Sequence, residues 1–263
     1  MSVQCGDYSS ASVVGALRAA GCVFAEDEAL LLMSAARDDA ELAALVARRV
    51  GGEPLEQILG WAEFLGRRLA VRPGVFVPRR RTEFLATQVT ALARPGAVVV
   101  DLCCGCGAVA VAVADAVAVA DVHAVDLDPV AVWCARQNLD PLGGRVYHGD
   151  LYAPLPEALR GRVDVLAANA PYVPTGSIEL MPPEARLHEP PLALDGGPDG
   201  LDVLRRVAAG AGEWLAPGGA LVVETSQRQA PTLVDAVARH GLRARLARSA
   251  ELDATVVIAA AAG

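Results

Sequence analysis

Apolar positions along this chain keep two different rhythms, and the change of rhythm divides it. Between residues 9 and 50 they recur every three or four residues in SASVVGALRAAG, EDEALLLMSAA and DDAELAALVARRV, with acidic residues in first turns, so three short helices are predicted. AEFLGRRLAVRPG then changes to a short, strand-like period broken by glycine, the pattern of a β-hairpin. From Thr82 onward a helix is followed by strands and helices in alternation. The predicted strands are AVVVDL, VHAVDL, RVYHG, VDVLAAN, GALVVET, GLRARLA and ATVVIAA, and the helices between them lie near Ala108–Ala116, Pro129–Leu139, 201–215 and 229–240. These strands are continuous Val, Ala and Leu runs rather than alternating ones, so both faces of each are covered. The prediction is an α/β fold with a doubly wound, seven-stranded sheet. The chain divides into a small helical domain over 1–60, a β-hairpin linker over 61–81 and a large α/β domain over 82–263.

One connection stands apart. Thirty residues with seven prolines separate Asn169 from Gly200, where a handful is usual. A long loop at the carboxyl end of a strand is where an open α/β sheet holds its ligands.

Composition refines this picture only slightly. A chain of 263 residues can bury the core of one large α/β domain with a small appendage. All 23 basic residues are arginine, a coding bias from which no function is read. A net charge of −8 and a pI near 5.0 argue against a long nucleic acid as the main partner, since phosphate binding asks for a basic face. The opening MSVQCGDYSS has no basic segment followed by an apolar one, and no apolar run reaches membrane-spanning length, so a cytoplasmic location without membrane partners is expected. Three of six cysteines crowd into CCGC. Cys103 and Cys106 have C-x-x-C spacing, but no second Cys/His pair stands at matching distance, so no metal site is expected and the thiols are read as small buried side chains in a turn.

VVVDLCCGCGAVAVAVA reads as strand, glycine turn and helix. Gly105 and Gly107 permit close backbone approach, and the helix start offers free N–H groups to an anion. Gly105, Gly107 and Ala110 also satisfy G-x-G-x-x-[GA], with Asp126 ending the next strand about twenty residues on, which keeps a nicotinamide oxidoreductase among the readings. Asp101 distinguishes the alternatives: four residues before Gly105 it would repel a pyrophosphate but attract an ammonium. S-adenosylmethionine carries such an ammonium, a carboxylate suited to the helix N-terminus and ribose hydroxyls suited to Asp126. Asp150 and Leu151, after the third strand, are placed near its adenine.

D-x-x-x-G-x-G, a strand-ending Asp, G-D, and then N-x-P-Y after the fourth strand together resemble a class I S-adenosylmethionine-dependent methyltransferase. GEPLEQILGWAEFLG, FVPRRRTE, NAPYVP, HEPPLALDGGPDGLDVLRRV and LAPGGALVVE narrow the resemblance to the protein-(glutamine-N5) methyltransferases, the HemK or PrmC family. The resemblance implies a Rossmann-like methyltransferase fold, a helical N-terminal domain that recognises a protein substrate, and the Gly-Gly-Gln loop of a peptide chain release factor as that substrate. It implies cofactor contacts from Asp101, Cys103, Cys104, Gly105, Cys106, Gly107, Asp126, Asp150, Leu151 and Asn169, and catalysis by Asn169, Ala170, Pro171 and Tyr172. An amide nitrogen is a poor nucleophile, so the site must orient it and accept its two N–H donors. The Asn169 side-chain oxygen and the carbonyl of residue 170 are the expected acceptors, and Tyr172 the flat surface beside them.

The chain departs from the family at Ala170, where a proline is usual, at Cys103, where a glycine is usual, in the arginines of PRRRTE, and in a shorter N-terminal region. Adenine-N6 methylation of nucleic acid uses the same Asn-x-Pro-Tyr logic and remains an alternative, against which stand the acidic charge and the lack of a separate target-recognition domain. A non-enzymatic cofactor-binding adaptor is the remaining reading. Arg79–Arg81 read as a solvated turn, His123, His148 and His240 as solvated or capping residues at element ends, His188 as part of the loop framework, and Trp61 as an anchor between helices and hairpin.

Overall fold

This computed structural model describes residues 9–118 and 121–261. Helices α1 (Ser10–Ala19), α2 (Ala25–Ala35), α3 (Asp39–Val50) and α4 (Leu55–Leu59) open the chain. Ser9 and Asp38 cap α1 and α3 by accepting the Ser12 and Glu41 N–H groups, which satisfies donors left free by a helix start. Val13, Leu17, Leu32, Leu42, Val46 and Ile58 meet in a separate small core. Helix α4 was not anticipated from the sequence; Pro54 starts it and Gly60, at φ 81°, ends it within five residues.

Strands β1 (Trp61–Phe64) and β2 (Arg67–Ala70) form the hairpin, closed by Leu65 and Gly66, both left-handed as a two-residue turn of this kind requires. Trp61 lies beneath the Arg68 guanidinium, 4.0 Å from its ring centre, so its partner is the neighbouring strand of the hairpin.

The sheet domain runs α5 (Thr82–Leu92), β3 (Val98–Leu102), α6 (Ala108–Ala116), β4 (Asp121–Asp126), α7 (Pro129–Leu139), β5 (Arg145–His148), β6 (Val163–Ala168), α8 (Pro183–His188), α9 (Pro191–Leu194), α10 (Asp202–Trp214), β7 (Leu215–Thr225), α11 (Ala230–Ala238), β8 (Arg243–Ser249) and β9 (Ala254–Ala260). Seven strands pair in the order β5-β4-β3-β6-β7-β9-β8, parallel except that β9 is antiparallel to both neighbours. Alternate side chains feed two cores. Val99, Val165 and Val222 pack with Leu85, Val113 and Leu139 on one face, and Val100, Leu166 and Leu221 pack with Leu204, Val207 and Leu233 on the other. The order reverses between β3 and β6, whose ends Leu102 and Ala168 are register partners, so their carboxyl ends diverge into a crevice.

The long connection is less irregular than its prolines suggest. It holds a 3-10 turn at Thr175–Leu180 and the short helices α8 and α9. The first helices touch it: Arg49, in a buried ion pair with Glu28 at 2.6 Å, also reaches Glu184 at 3.3 Å. Gln57 donates to the Val75 carbonyl at 2.9 Å. His123 departs from its expected place at an element end. It is buried within β4, stacked on Tyr147, with Asp121 beside Nε2.

Candidate active site

The crevice holds a cavity of about 180 Å³ with two differently built halves. In the first, β3 ends and the chain turns through Cys103–Gly107 into α6. Cys103, Gly105 and Gly107 are left-handed at φ 55°, 57° and 83°. A glycine takes this conformation freely, whereas cysteine meets steric resistance, which is the physical content of the departure at 103. The Gly105 N–H donates to Asp126 Oδ2 at 2.8 Å and the Asp128 N–H to Oδ1 at 2.9 Å, so the strand-ending acid holds the turn. Asp101, 2% exposed, accepts the Ala110 N–H at 3.1 Å. Burial, with Asp126 nearby, pushes Asp101 up to about 7, and burial also raises Asp126. Both carboxyl groups are therefore biased toward the neutral form relative to a free acid, a bias that a bound cation would oppose.

Asp101, Cys103, Cys104, Gly105, Cys106, Asp126, Asp150 and Leu151 all line the cavity, while Gly107 lies outside its wall. A Cβ at Gly107 would stand 3.3 Å from that of Ala135, so this glycine serves the close packing of α6 on α7. Burial and the neighbouring carboxylates raise the Cys103 thiol, which is only half-buried; Cys104 and Cys106 are buried and also raised. Among the described residues no group of three or more His, Cys, Asp or Glu is placed to hold a metal, and Cys5 lies outside them. Asp150 is exposed and paired with Arg206 of α10 at 2.6 Å, a partner that sequence reasoning missed.

The second half is held by side chains from distant elements. Asn169, just past β6, donates its Nδ2 to the Thr82 hydroxyl at 3.2 Å. The Tyr172 hydroxyl donates to Glu224 Oε1 at 3.0 Å, and the Arg81 Nε stands 3.5 Å from the same oxygen. Burial raises Glu224, with the Thr82 hydroxyl, Arg81 and Tyr172 opposing; burial and Glu224 keep Tyr172 a neutral phenol. Ala170 is 1% exposed and lines the cavity with Pro171. Among the described residues no donor bonds the Ala170 carbonyl or Asn169 Oδ1.

The loop beyond braces this segment. The Val173 N–H donates to the Leu194 carbonyl, the Gly196 N–H donates to the Val173 carbonyl, and Gln229 Nε2 donates to the Tyr172 carbonyl at 2.8 Å. A Cβ at Gly200 would fall 2.3 Å from that carbonyl oxygen. Arg79 pairs with buried Glu189 at 2.6 Å, and Glu189 also accepts the Val77 N–H. Arg79 and Arg81 are thus paired cavity-wall residues, while Arg80 and Arg81 form an exposed turn as expected. Thr82, Arg206 and Glu224 were not singled out from the sequence, and Glu189 was read only as loop framework beside His188; for Glu224, a glutamate closing the apolar run ALVVE was the one available signal, since a carboxyl in a strand covered on both faces must find partners.

Residues 67–181 match the family described as methyltransferase small domain. The chain is 42% identical over 206 residues to a release factor glutamine methyltransferase of Geobacter sulfurreducens, covering 76% of this chain and 72% of that protein. It is 40% identical over 191 residues to a 4-amino-L-phenylalanine/4-methylamino-L-phenylalanine methyltransferase of Streptomyces pristinaespiralis, covering 70% and 65%. The fold is similar to that of a Thermus thermophilus 16S rRNA N2 G1207 methyltransferase solved with AdoMet and guanosine, at a TM-score of 0.54 and 21% identity, over 76% of this chain and 49% of that one.

Proposed function

The chain belongs to the release factor glutamine methyltransferase family, and on that premise we propose that it transfers a methyl group from S-adenosylmethionine to the side-chain amide nitrogen of a glutamine in a release factor. Family membership removes the nicotinamide reading of the glycine turn. The cavity's donor set suits the cofactor. Asp101 offers a carboxylate to its ammonium, Asp126 an acceptor to its ribose hydroxyls, the start of α6 N–H groups to its carboxylate, and Leu151 an apolar face to its adenine. When bound, that cofactor supplies an electrophilic methyl group on a sulfonium sulfur.

The observation that carries the acceptor assignment is the direction of the Asn169 amide. Its nitrogen is engaged by Thr82, which leaves Oδ1 as the open end; among the described residues neither Oδ1 nor the Ala170 carbonyl accepts a hydrogen bond, and both residues line the cavity. Two open acceptors match the two N–H donors of a primary amide and hold its nitrogen in line for attack, while Tyr172 limits the amide plane. No strong base is needed, because the nitrogen loses a proton readily once methylated. A release factor substrate places the reaction in the cytoplasm.

One observation favours a second acceptor. Phe76, Met181 and Leu192 make an apolar wall around this half of the cavity, which would suit the ring of an arylamine such as the substrate named for the Streptomyces relative. Labelled S-adenosylmethionine offered with a release factor, 4-amino-L-phenylalanine or nucleic acid separates the readings. Label on the Gly-Gly-Gln glutamine is expected, and label on the free amino acid or nucleic acid alone would overturn the assignment.

A further inference from the structure

We propose that the acceptor half of the cavity holds a carboxylate beside the methyl acceptor, and that Arg81 is the residue that recognises it. The inference deepens the reading above, since it rests on Asn169 and Tyr172 marking the place where the acceptor enters.

Charges on the cavity wall are sorted. Among the described residues, four acids line it, Asp101, Asp126, Asp128 and Asp150, and all stand at or just beyond the carboxyl ends of β3, β4 and β5, on the cofactor side. The wall around Asn169 and Tyr172 includes Arg79 and Arg81 and, among the described residues, no acid. Glu189 and Glu224, the partners of these arginines, are not wall residues; their side chains are 0% and 2% exposed. A ligand in this half therefore lies nearer the cations than their buried counter-charges, which favours an anion.

Three arginines line the cavity, and two of them are engaged in short hydrogen bonds. Arg79 Nη2 donates to Glu189 Oε2 and Arg206 Nη2 to Asp150 Oδ2, each at 2.6 Å. Arg81 differs. Its contact with Glu224 is Nε to Oε1 at 3.5 Å, beyond ordinary hydrogen-bond length, and Tyr172 already donates to that oxygen at 3.0 Å. Glu224 thus holds the cation by charge, on the Nε side. Among the described residues, no guanidinium donor of Arg81 makes a hydrogen bond. Its side chain is 47% exposed, and its guanidinium carbon lies 5.8 Å from the centre of the Tyr172 ring, the flat surface beside the acceptor.

The two terminal NH₂ groups of a guanidinium form the planar pair that grips a carboxylate through both oxygens. A neutral acceptor leaves those donors to water, whereas a carboxylate takes them up in charge-assisted bonds. One open arginine balances one negative charge; a phosphate dianion would face the four wall acids with a single open cation. Backbone adds nothing here. The Thr82, Glu83 and Phe84 N–H groups at the start of α5 already donate to the carbonyls of residues 79–81, so recognition falls to the Arg81 side chain. Such a carboxylate has two sources: an Asp or Glu next to the methylated glutamine of a protein, or the α-carboxylate of a free amino acid methylated on its side chain.

Titration calorimetry on the full chain loaded with S-adenosylhomocysteine tests this with two matched pairs. One is a Gly-Gly-Gln peptide flanked by Asp against the same peptide flanked by Asn; the other is 4-amino-L-phenylalanine against its carboxamide. In at least one pair the carboxylate form should bind about fivefold or more tightly, and the preference should shrink as salt rises. Arg81→Gln should bring that ratio close to one, Arg81→Glu should invert it and Arg81→Lys should keep part of it, with S-adenosylhomocysteine affinity within about twofold throughout. Both members of a pair are measured on one preparation, so a partly misfolded variant leaves the ratio intact. A preference confined to the peptides assigns the side-chain source, and one confined to the amino acid assigns the α-carboxylate. Equal binding within both pairs in the wild type, no binding of any probe, or a preference that survives Arg81→Gln would overturn the proposal. Transfer of labelled methyl tests the glutamine reading separately: a wild type that methylates only the amino acid defeats that reading and leaves the carboxylate site standing.

Discussion

The two halves of the cavity are assembled in opposite ways. Around the glycine turn, side chains are held by backbone: Gly105 and Asp128 N–H groups fix Asp126, and the Ala110 N–H fixes Asp101, all at the carboxyl ends of the neighbouring strands β3 and β4 and the start of α6. Around Asn169, side chains hold side chains across distant parts of the chain, Thr82 on Asn169 over 87 residues and Glu224 on Tyr172 over 52. The first arrangement is local, so it survives substitution elsewhere. The second depends on β6, β7 and α5 meeting in one register and on the loop to Gly200 pressing against it. Binding of the cofactor and orientation of the acceptor should therefore fail separately.

The bracing loop offers the most severe way to break the acceptor half alone. Gly200→Ala would set a Cβ 2.3 Å from the Tyr172 carbonyl oxygen at a φ of 76°. Strain and overpacking together should lower stability by roughly 2–5 kcal/mol, read as a lower thermal midpoint, and turnover should fall further than cofactor affinity in the folded fraction. Equal losses would mean that the loop supports both halves.

Asp101 tests the other half through pH. Its folded pKa, raised to about 7, lies above that of an unfolded carboxyl. Stability without cofactor is accordingly lost as pH climbs from about 4 to about 7. Asp101→Asn should raise stability above pH 7 by roughly 2–4 kcal/mol and leave it unchanged near pH 4, while weakening cofactor binding. In the wild type a cationic ligand stabilises the ionised form, so binding should release up to one proton near pH 6 and tighten toward pH 7. Calorimetry in buffers of different ionisation heat measures this; no proton release would remove Asp101 from the ammonium site.

A smaller loss is expected for Asp126→Ala, about 1–3 kcal/mol of S-adenosylhomocysteine affinity, with kcat at saturation nearly retained. Unchanged affinity in titration calorimetry would take Asp126 out of the cofactor site.

The difference between the halves also governs what the sequence could reveal. A strand, a glycine turn and a strand-ending acid follow one another in the chain, so D-x-x-x-G-x-G and Asp126 were readable, as were the seven strands, whose Val and Ala runs carry their own signal. Thr82 and Glu224 belong to no contiguous pattern. Their meeting needs Val223 paired with Ala168, which puts Glu224 level with Asn169. His123 was misplaced because its strand was taken from Val122, which made an interior position look terminal. The departure at Ala170 was visible, but that its N–H is bonded to no acceptor among the described residues was not.

That detail yields the smallest expected effect. Ala170→Pro removes no hydrogen bond and should change stability by less than about 1 kcal/mol, with transfer largely retained. A folded variant with a clear fall in activity would favour a differently shaped acceptor over glutamine, because the site would then need the room that alanine leaves.

Asn169→Ala tests the separation of the two halves most directly, with turnover and S-adenosylhomocysteine affinity measured on the same preparation. Turnover should fall by about a hundredfold or more while affinity stays within a few fold, because Asn169 orients the acceptor nitrogen and the glycine turn holds the cofactor. A parallel collapse of affinity and turnover would contradict this account and make Asn169 part of the cofactor site.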